Sequence, residues 1–158
     1  MTMIEKLRKL IDKEIAKYPA DKKQSAVIAA LAIMQHHRGW LSQEDISDVA
    51  VYLDMPEIAV LEVATFYNMF DLKPVGKYKL SICTNISCML RDADQIVDHL
   101  KKTLKIDFNE ITKDGKFCLK ESECMGACEG APLLTVNNQK MYEHLDIKKL
   151  DQLLKDLK

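Results

Sequence analysis

The sequence predicts an α+β fold, with a small helical bundle over residues 1–72 followed by an α/β sandwich over residues 73–158. Three observations carry this. Apolar residues recur every three to four positions over residues 1–70 and alternate thereafter, which is the change from a helical to a strand period. Lys73-Pro74-Val75-Gly76 punctuates the change. Four of the five cysteines form two pairs, each just after a segment of strand character.

In the first part, Ile4, Leu7, Leu10, Ile11 and Ile15 form one apolar stripe, and Tyr18-Pro19 ends the helix that carries it. Asp21 is expected to cap a second helix, with Gln24 as its capping-box partner. Val27, Ile28, Leu31 and Met34 give that helix its buried face, and Gly39 stops it. Ser42 is the next expected N-cap, with Ile46, Val49, Ala50 and Leu53 inside. Pro56 suits the first turn of a fourth helix, whose expected core residues are Ile58, Leu61, Ala64 and Phe66. Short loops between four short helices imply an antiparallel bundle.

In the second part, Tyr78, Leu80 and Ile82 alternate with Lys77, Lys79 and Ser81, a strand that leads into Cys83. A helix over residues 92–104 carries Ile96, Val97, Leu100 and Leu104 on one face. Asp114-Gly115 is a turn signal, and Phe117 to Glu121 read as a second strand. Leu133 to Val136 and Lys140 to Glu143 flank Asn137-Asn138, a hairpin turn. A last helix carries Leu145, Ile147, Leu150, Leu153, Leu154 and Leu157. The order β-α-β-β-β-α describes helices packed on a sheet.

The net charge of −1 gives no basic field for nucleic acid or an anionic membrane. With 47% apolar and 30% charged residues the composition is globular. No stretch is long and apolar enough to span a bilayer. The mixed charges of residues 1–12 do not read as a signal peptide, so a reducing cytosol is expected. There, five cysteines point to metal or redox chemistry rather than to disulfides.

The pairs are C-x4-C at Cys83 and Cys88 and C-x3-C at Cys124 and Cys128, with 35 residues between them. A helix, a turn and a strand in that interval can return the chain to the same sheet edge. The two loops then face each other and present four sulfurs. Four thiolates suit the two irons of a [2Fe–2S] cluster, and they also suit one zinc ion; spacing alone leaves both open. Gly126 and Gly130 permit a tight loop whose N–H groups turn toward sulfur. Met89, Leu90 and Met125 flank the ligands and are expected to exclude water. Cys118 alternates with Phe117 and Leu119 inside a strand and reads as a core residue.

No other constellation carries chemistry. His36 and His37 are adjacent and point about 100° apart on a helix; with His99 and His144 they read as structural or solvent-facing. Dinucleotide, phosphate-loop, nucleophile-elbow and zinc-protease motifs are absent from the sequence. The chain therefore offers a redox site without catalytic residues or an organic substrate pocket of its own.

The run Glu62-Val-Ala-Thr-Phe-Tyr67, then Pro74-Val-Gly-Lys-Tyr78 and Cys83-Thr-Asn-Ile-Ser-Cys88-Met-Leu-Arg91, resembles the family of 24-kDa or E-type subunits of respiratory complex I. Glu123-Cys-Met-Gly-Ala-Cys128, with Gly130-Ala-Pro132, is similar to that family's second ligand loop. The resemblance spans nearly the whole chain, and Cys-Met-Leu-Arg is similar to the mitochondrial and proteobacterial form. It implies a thioredoxin-like ferredoxin domain behind the bundle. It also implies one [2Fe–2S] cluster on Cys83, Cys88, Cys124 and Cys128. The implied partner is a 51-kDa or F-type flavoprotein subunit holding FMN and NADH, among other peripheral-arm subunits. Single electrons would pass between that flavin and the cluster. The complex would sit on the inner face of the cell membrane, or on the matrix side in a mitochondrion. Similar small subunits serve NAD-linked hydrogenases and formate dehydrogenases. A zinc-stabilised binding module is the reading from another class.

Overall fold

The computed structural model describes residues 3–157, with side chains from residue 5 onward. The side chain of Ile4, the first residue of the expected stripe, lies outside the described residues. The chain divides after Pro74 into two compact units.

The first unit holds α1 (Met3–Ile15), a 3-10 turn (Ala20–Ala26), α2 (Val27–Arg38), α3 (Gln43–Leu53) and α4 (Glu57–Phe66). Its core is Leu7, Ile11, Leu31, Met34, Ile46, Leu53 and Val60 with their neighbours. Ser42 caps α3 as expected. Its Oγ accepts the Asp45 N–H, and the Asp45 carboxylate accepts the Ser42 N–H. Gly39 closes α2 in the left-handed region, φ 95°.

The expected Asp21–Gln24 capping box does not form. Pro19 occupies the cap position without a side-chain bond, and Gln24 Nε2 instead donates to the Asp54 carbonyl at 2.7 Å. A 3-10 turn with a non-helical Lys22 therefore enters α2. Several expected core residues face outward, among them Leu10 and Ile28. The largest departures are on α4, where Ile58 is 62% and Phe66 80% exposed. Val60 and Ala64 are the buried positions. Ile58 precedes Val60, and Phe66 follows Ala64, by two residues, which is about 200° around the helix.

The second unit holds β1 (Tyr78–Cys83), a one-turn α5 (Ile86–Met89), α6 (Ala93–Leu104), β2 (Phe117–Ser122), a 3-10 turn (Cys128–Gly130), β3 (Leu134–Val136), β4 (Lys140–Tyr142) and α7 (Ile147–Asp156). The sheet order is β2-β1-β3-β4. β1 and β2 are parallel, so α6 is the crossover of a βαβ unit. β3 runs antiparallel to β1 and forms a hairpin with β4. Asn137 and Asn138, at φ 53° and 57°, make its turn. Leu80, Ile82, Phe117, Leu119, Leu134 and Val136 pack with Ile96, Val97 and Leu100 of α6 and Leu150 and Leu153 of α7. These are the alternating positions of the strands and the apolar stripes of the helices. Lys79, Ser81 and Cys118 alternate with them and are also buried.

Gly76 marks the entry to this unit. A Cβ there would stand 2.8 Å from the Phe117 carbonyl carbon and 3.0 Å from the Cys118 nitrogen. Only glycine lets the incoming chain lie this close to β2.

Candidate metal centre

The parallel pairing of β1 and β2 sets the site. Cys83, the last residue of β1, is in register with Ser122, the last of β2. Both strands therefore deliver the chain to the same sheet edge. Beyond β1 the chain enters α5, which carries Cys88 inward. Beyond β2 it runs through Glu123 and Cys124 to the 3-10 turn that begins at Cys128. The two segments are linked at the strand ends and once farther out. The Thr84 N–H donates to the Ser122 carbonyl at 3.0 Å, and Thr84 Oγ1 donates to Glu121 at 2.9 Å. Cys83 Sγ lies 3.8 Å from the Glu123 carbonyl. Farther out, Arg91 Nη1 donates to the Glu129 carbonyl at 3.0 Å.

Burial first, then the neighbouring Cys83 sulfur and the charges of Cys83 and Cys128, push the Cys88 thiol up to about 11, with a Leu133 backbone contact acting the other way. A buried thiol of this kind is a poor free anion, but a cation that replaces its proton removes the penalty. Cys124 lies at the surface and accepts the Gly126 N–H at 3.4 Å. Gly126 holds φ 72°, and open space surrounds the position of its absent Cβ. That conformation turns its N–H toward sulfur, as the glycine spacing led one to expect.

The two pairs have different surroundings. Cys83 and Cys88 are buried with Ala93, Ala131 and Leu133, and Met125 and Ala127 pack against this floor. Cys124 and Cys128 are exposed. Of the three apolar residues expected to exclude water, only Met125 covers the site. Met89 is 48% and Leu90 82% exposed, because α5 has one turn and only Cys88 occupies its inner side.

The donor set fits an iron–sulfur cluster. Four cysteines lie on the two loops, Cys83 and Cys88 buried and Cys124 and Cys128 exposed, with the carboxylates of Glu123 and Glu129 beside the second pair in sequence. Among the described residues no three His, Cys, Asp or Glu side chains are grouped closely enough to hold a metal ion; four thiolates are the donor set of a [2Fe–2S] cluster. Cys118 belongs elsewhere: it is buried in β2 opposite Lys79, with its sulfur 4.0 Å from the Leu119 carbonyl. His99 Nε2 pairs with Asp151 at 2.7 Å, linking α6 to α7. His36 and His37 are exposed in the last turn of α2. A cleft between β4 and α7, lined by Tyr142, Leu145, Lys149 and Leu153, includes no cysteine.

Sequence reasoning did not find the Arg91–Glu129 and Thr84–Glu121 links or the cis Ala131–Pro132 peptide that follows the second loop. The links join residues 38 and 37 positions apart, and no local pattern signals them.

The family model of the thioredoxin-like [2Fe–2S] ferredoxins matches residues 11–158. The chain is 45% identical over 141 residues to the E subunit of the NADH-quinone oxidoreductase of Rickettsia typhi, covering 89% of this chain and 82% of that protein. It is 38% identical over 152 residues to the E 2 subunit of the NADH-quinone oxidoreductase of Rhizobium meliloti, covering 96% and 89%. Among solved structures it is similar to an NAD+-reducing [NiFe]-hydrogenase in the air-oxidised state, with TM-score 0.69 and 20% identity. That match covers 81% of this chain and 22% of the hydrogenase chain, and it shows the fold alone.

Proposed function

Because this chain belongs to the thioredoxin-like [2Fe–2S] ferredoxin family and to the E-type subunits of NADH-quinone oxidoreductase within it, we propose that it is the electron-transfer subunit of an NADH-oxidising module. Cys83, Cys88, Cys124 and Cys128 would hold the cluster. The bound cluster supplies a one-electron store. Every other task falls to the protein. Cys83 and Cys88 anchor the group from a dry floor, while Cys124 and Cys128 hold its outer side at the surface, where electrons can be exchanged. The Gly126 N–H aims at a sulfur and favours added negative charge there. Such a site needs no proton donor or nucleophile.

The partner in this reading is the F-type flavoprotein subunit, which carries FMN and NADH, within a peripheral arm on the inner face of the membrane. Among the described residues no helix is long and apolar enough to cross a membrane. The bundle carries no chemistry, and its surface bears Phe66 stacked edge-to-face on Tyr67 at 5.0 Å. We assign it the docking role. The placement of two cysteine pairs on facing loops at one sheet edge carries the proposal. Co-expression with the flavoprotein subunit tests it: the pair should co-purify, and NADH should reduce a [2Fe–2S] centre visible by EPR. A stable pair whose cluster no flavin-derived electron reaches would refute it. The second reading is a diaphorase-type subunit of an NAD-linked hydrogenase or formate dehydrogenase. Capture of such a dehydrogenase in place of quinone-reductase subunits would favour it.

A further inference from the structure

Arg91 bridges the two cysteine loops with its side chain. It lies three residues after Cys88, and its backbone N–H donates to the Cys88 carbonyl at 3.0 Å. Its guanidinium crosses to the other loop and donates to the carbonyl of Glu129, the residue after Cys128. The main chain of Arg91 is thus fixed to the first pair and its charge to the second. The other polar side chains here are the neutral Thr84, Asn85, Ser87 and Ser122 and the carboxylates of Glu121, Glu123 and Glu129.

A [2Fe–2S] cluster on four thiolates is anionic, and reduction adds one more negative charge. The Arg91 side chain is exposed, with its guanidinium held on the carbonyl next to Cys128; a cation fixed there favours the reduced form. Arginine suits the task because its planar fork keeps its charge at every accessible pH and holds the carbonyl in a set direction. We propose that Arg91 is a positioning residue that holds the Cys128 loop against the Cys88 loop and raises the reduction potential of the cluster between them. This rests on the assignment of the four cysteines as ligands.

The test is a redox titration of the full chain, with dithionite as the one-electron reductant and EPR as readout, on the parent protein and on R91K, R91Q and R91M. The Lys variant keeps the charge, Gln keeps a donor without charge, and Met keeps neither. R91K should titrate with the parent. R91Q and R91M should show the reduced-to-oxidised ratio at a fixed potential lowered about tenfold, which is about 59 mV for one electron. R91M should also release iron to a chelator faster than R91Q. Equal potentials in all four proteins, or a fall in R91K as large as in R91M, would overturn the proposal. If R91M retains no iron, R91Q against R91K decides on the same terms. A parent protein without a [2Fe–2S] signal would instead refute the ligand assignment.

Discussion

Cys83 stands directly opposite Ser122, each the last residue of its strand in the parallel pair of β1 and β2. That register brings two loops 35 residues apart in sequence to one sheet edge. A slip of one residue would turn Cys83 to the other face of the sheet.

Serine at Cys83, Cys88, Cys124 or Cys128 should reduce iron retained per chain to less than about half of the parent value, because a hydroxyl is a poorer ligand for iron than thiolate. Cys118→Ser should retain iron, since that residue lies within β2. Iron assay of the five purified variants checks this. Loss of iron in the Cys118 variant alone would reverse the ligand assignment.

The legible part of the fold is what local pattern dictates. Alternation from Tyr78 to Ile82 marked β1, Asn137-Asn138 marked the hairpin, and Ser42 marked the start of α3. Where competing local signals had similar strength, tertiary contacts decided. Gln24 could cap Asp21's helix or reach Asp54, and it reaches Asp54. On α4 seven of the ten positions are apolar, on every side of the helix, so periodicity could not choose between the face of Val60 and that of Ile58. The cysteine spacing marked the candidate site, but burial of one pair and exposure of the other depend on α5 and on Leu133, 50 residues after Cys83.

Gly76→Ala should destabilise the protein by about 1–3 kcal/mol, because the added methyl meets the unyielding backbone of β2. Gly130→Ala should cost less. Its three nearest contacts would be Glu143 Cδ, Cγ and Cβ at 2.6 to 2.8 Å; Cδ and Cγ can rotate away and only the Cβ is fixed, whereas all three nearest contacts at Gly76 are backbone. Urea midpoints of the two variants give the comparison; the reverse order would contradict it.

Asp45 is fully buried and accepts from Ser42 N–H, Ser42 Oγ and, at 3.2 Å, Arg38 Nε. Asp45→Ala leaves those donors unmatched and should cost about 2 kcal/mol. Its Oδ1 has no hydrogen-bond partner, so the carboxylate is held through one oxygen. Asp45→Asn should therefore recover part of the loss, an order that denaturant titration resolves.

Phe66→Asp should weaken co-purification with the flavoprotein partner while leaving iron content unchanged, since Phe66 is exposed and lies in the other unit from the cysteines. Pull-down yield and iron assay on the same preparation separate the two effects. Unchanged pull-down would remove Phe66 from the docking surface.

The most direct measurement is metal content, visible absorption and EPR of the full chain reconstituted anaerobically with iron and sulfide, in the presence of competing zinc. The ligand assignment predicts a red-brown protein with about two irons and two acid-labile sulfides per chain, and an EPR signal that appears only on one-electron reduction. A colourless protein with about one tightly held zinc per chain would contradict it.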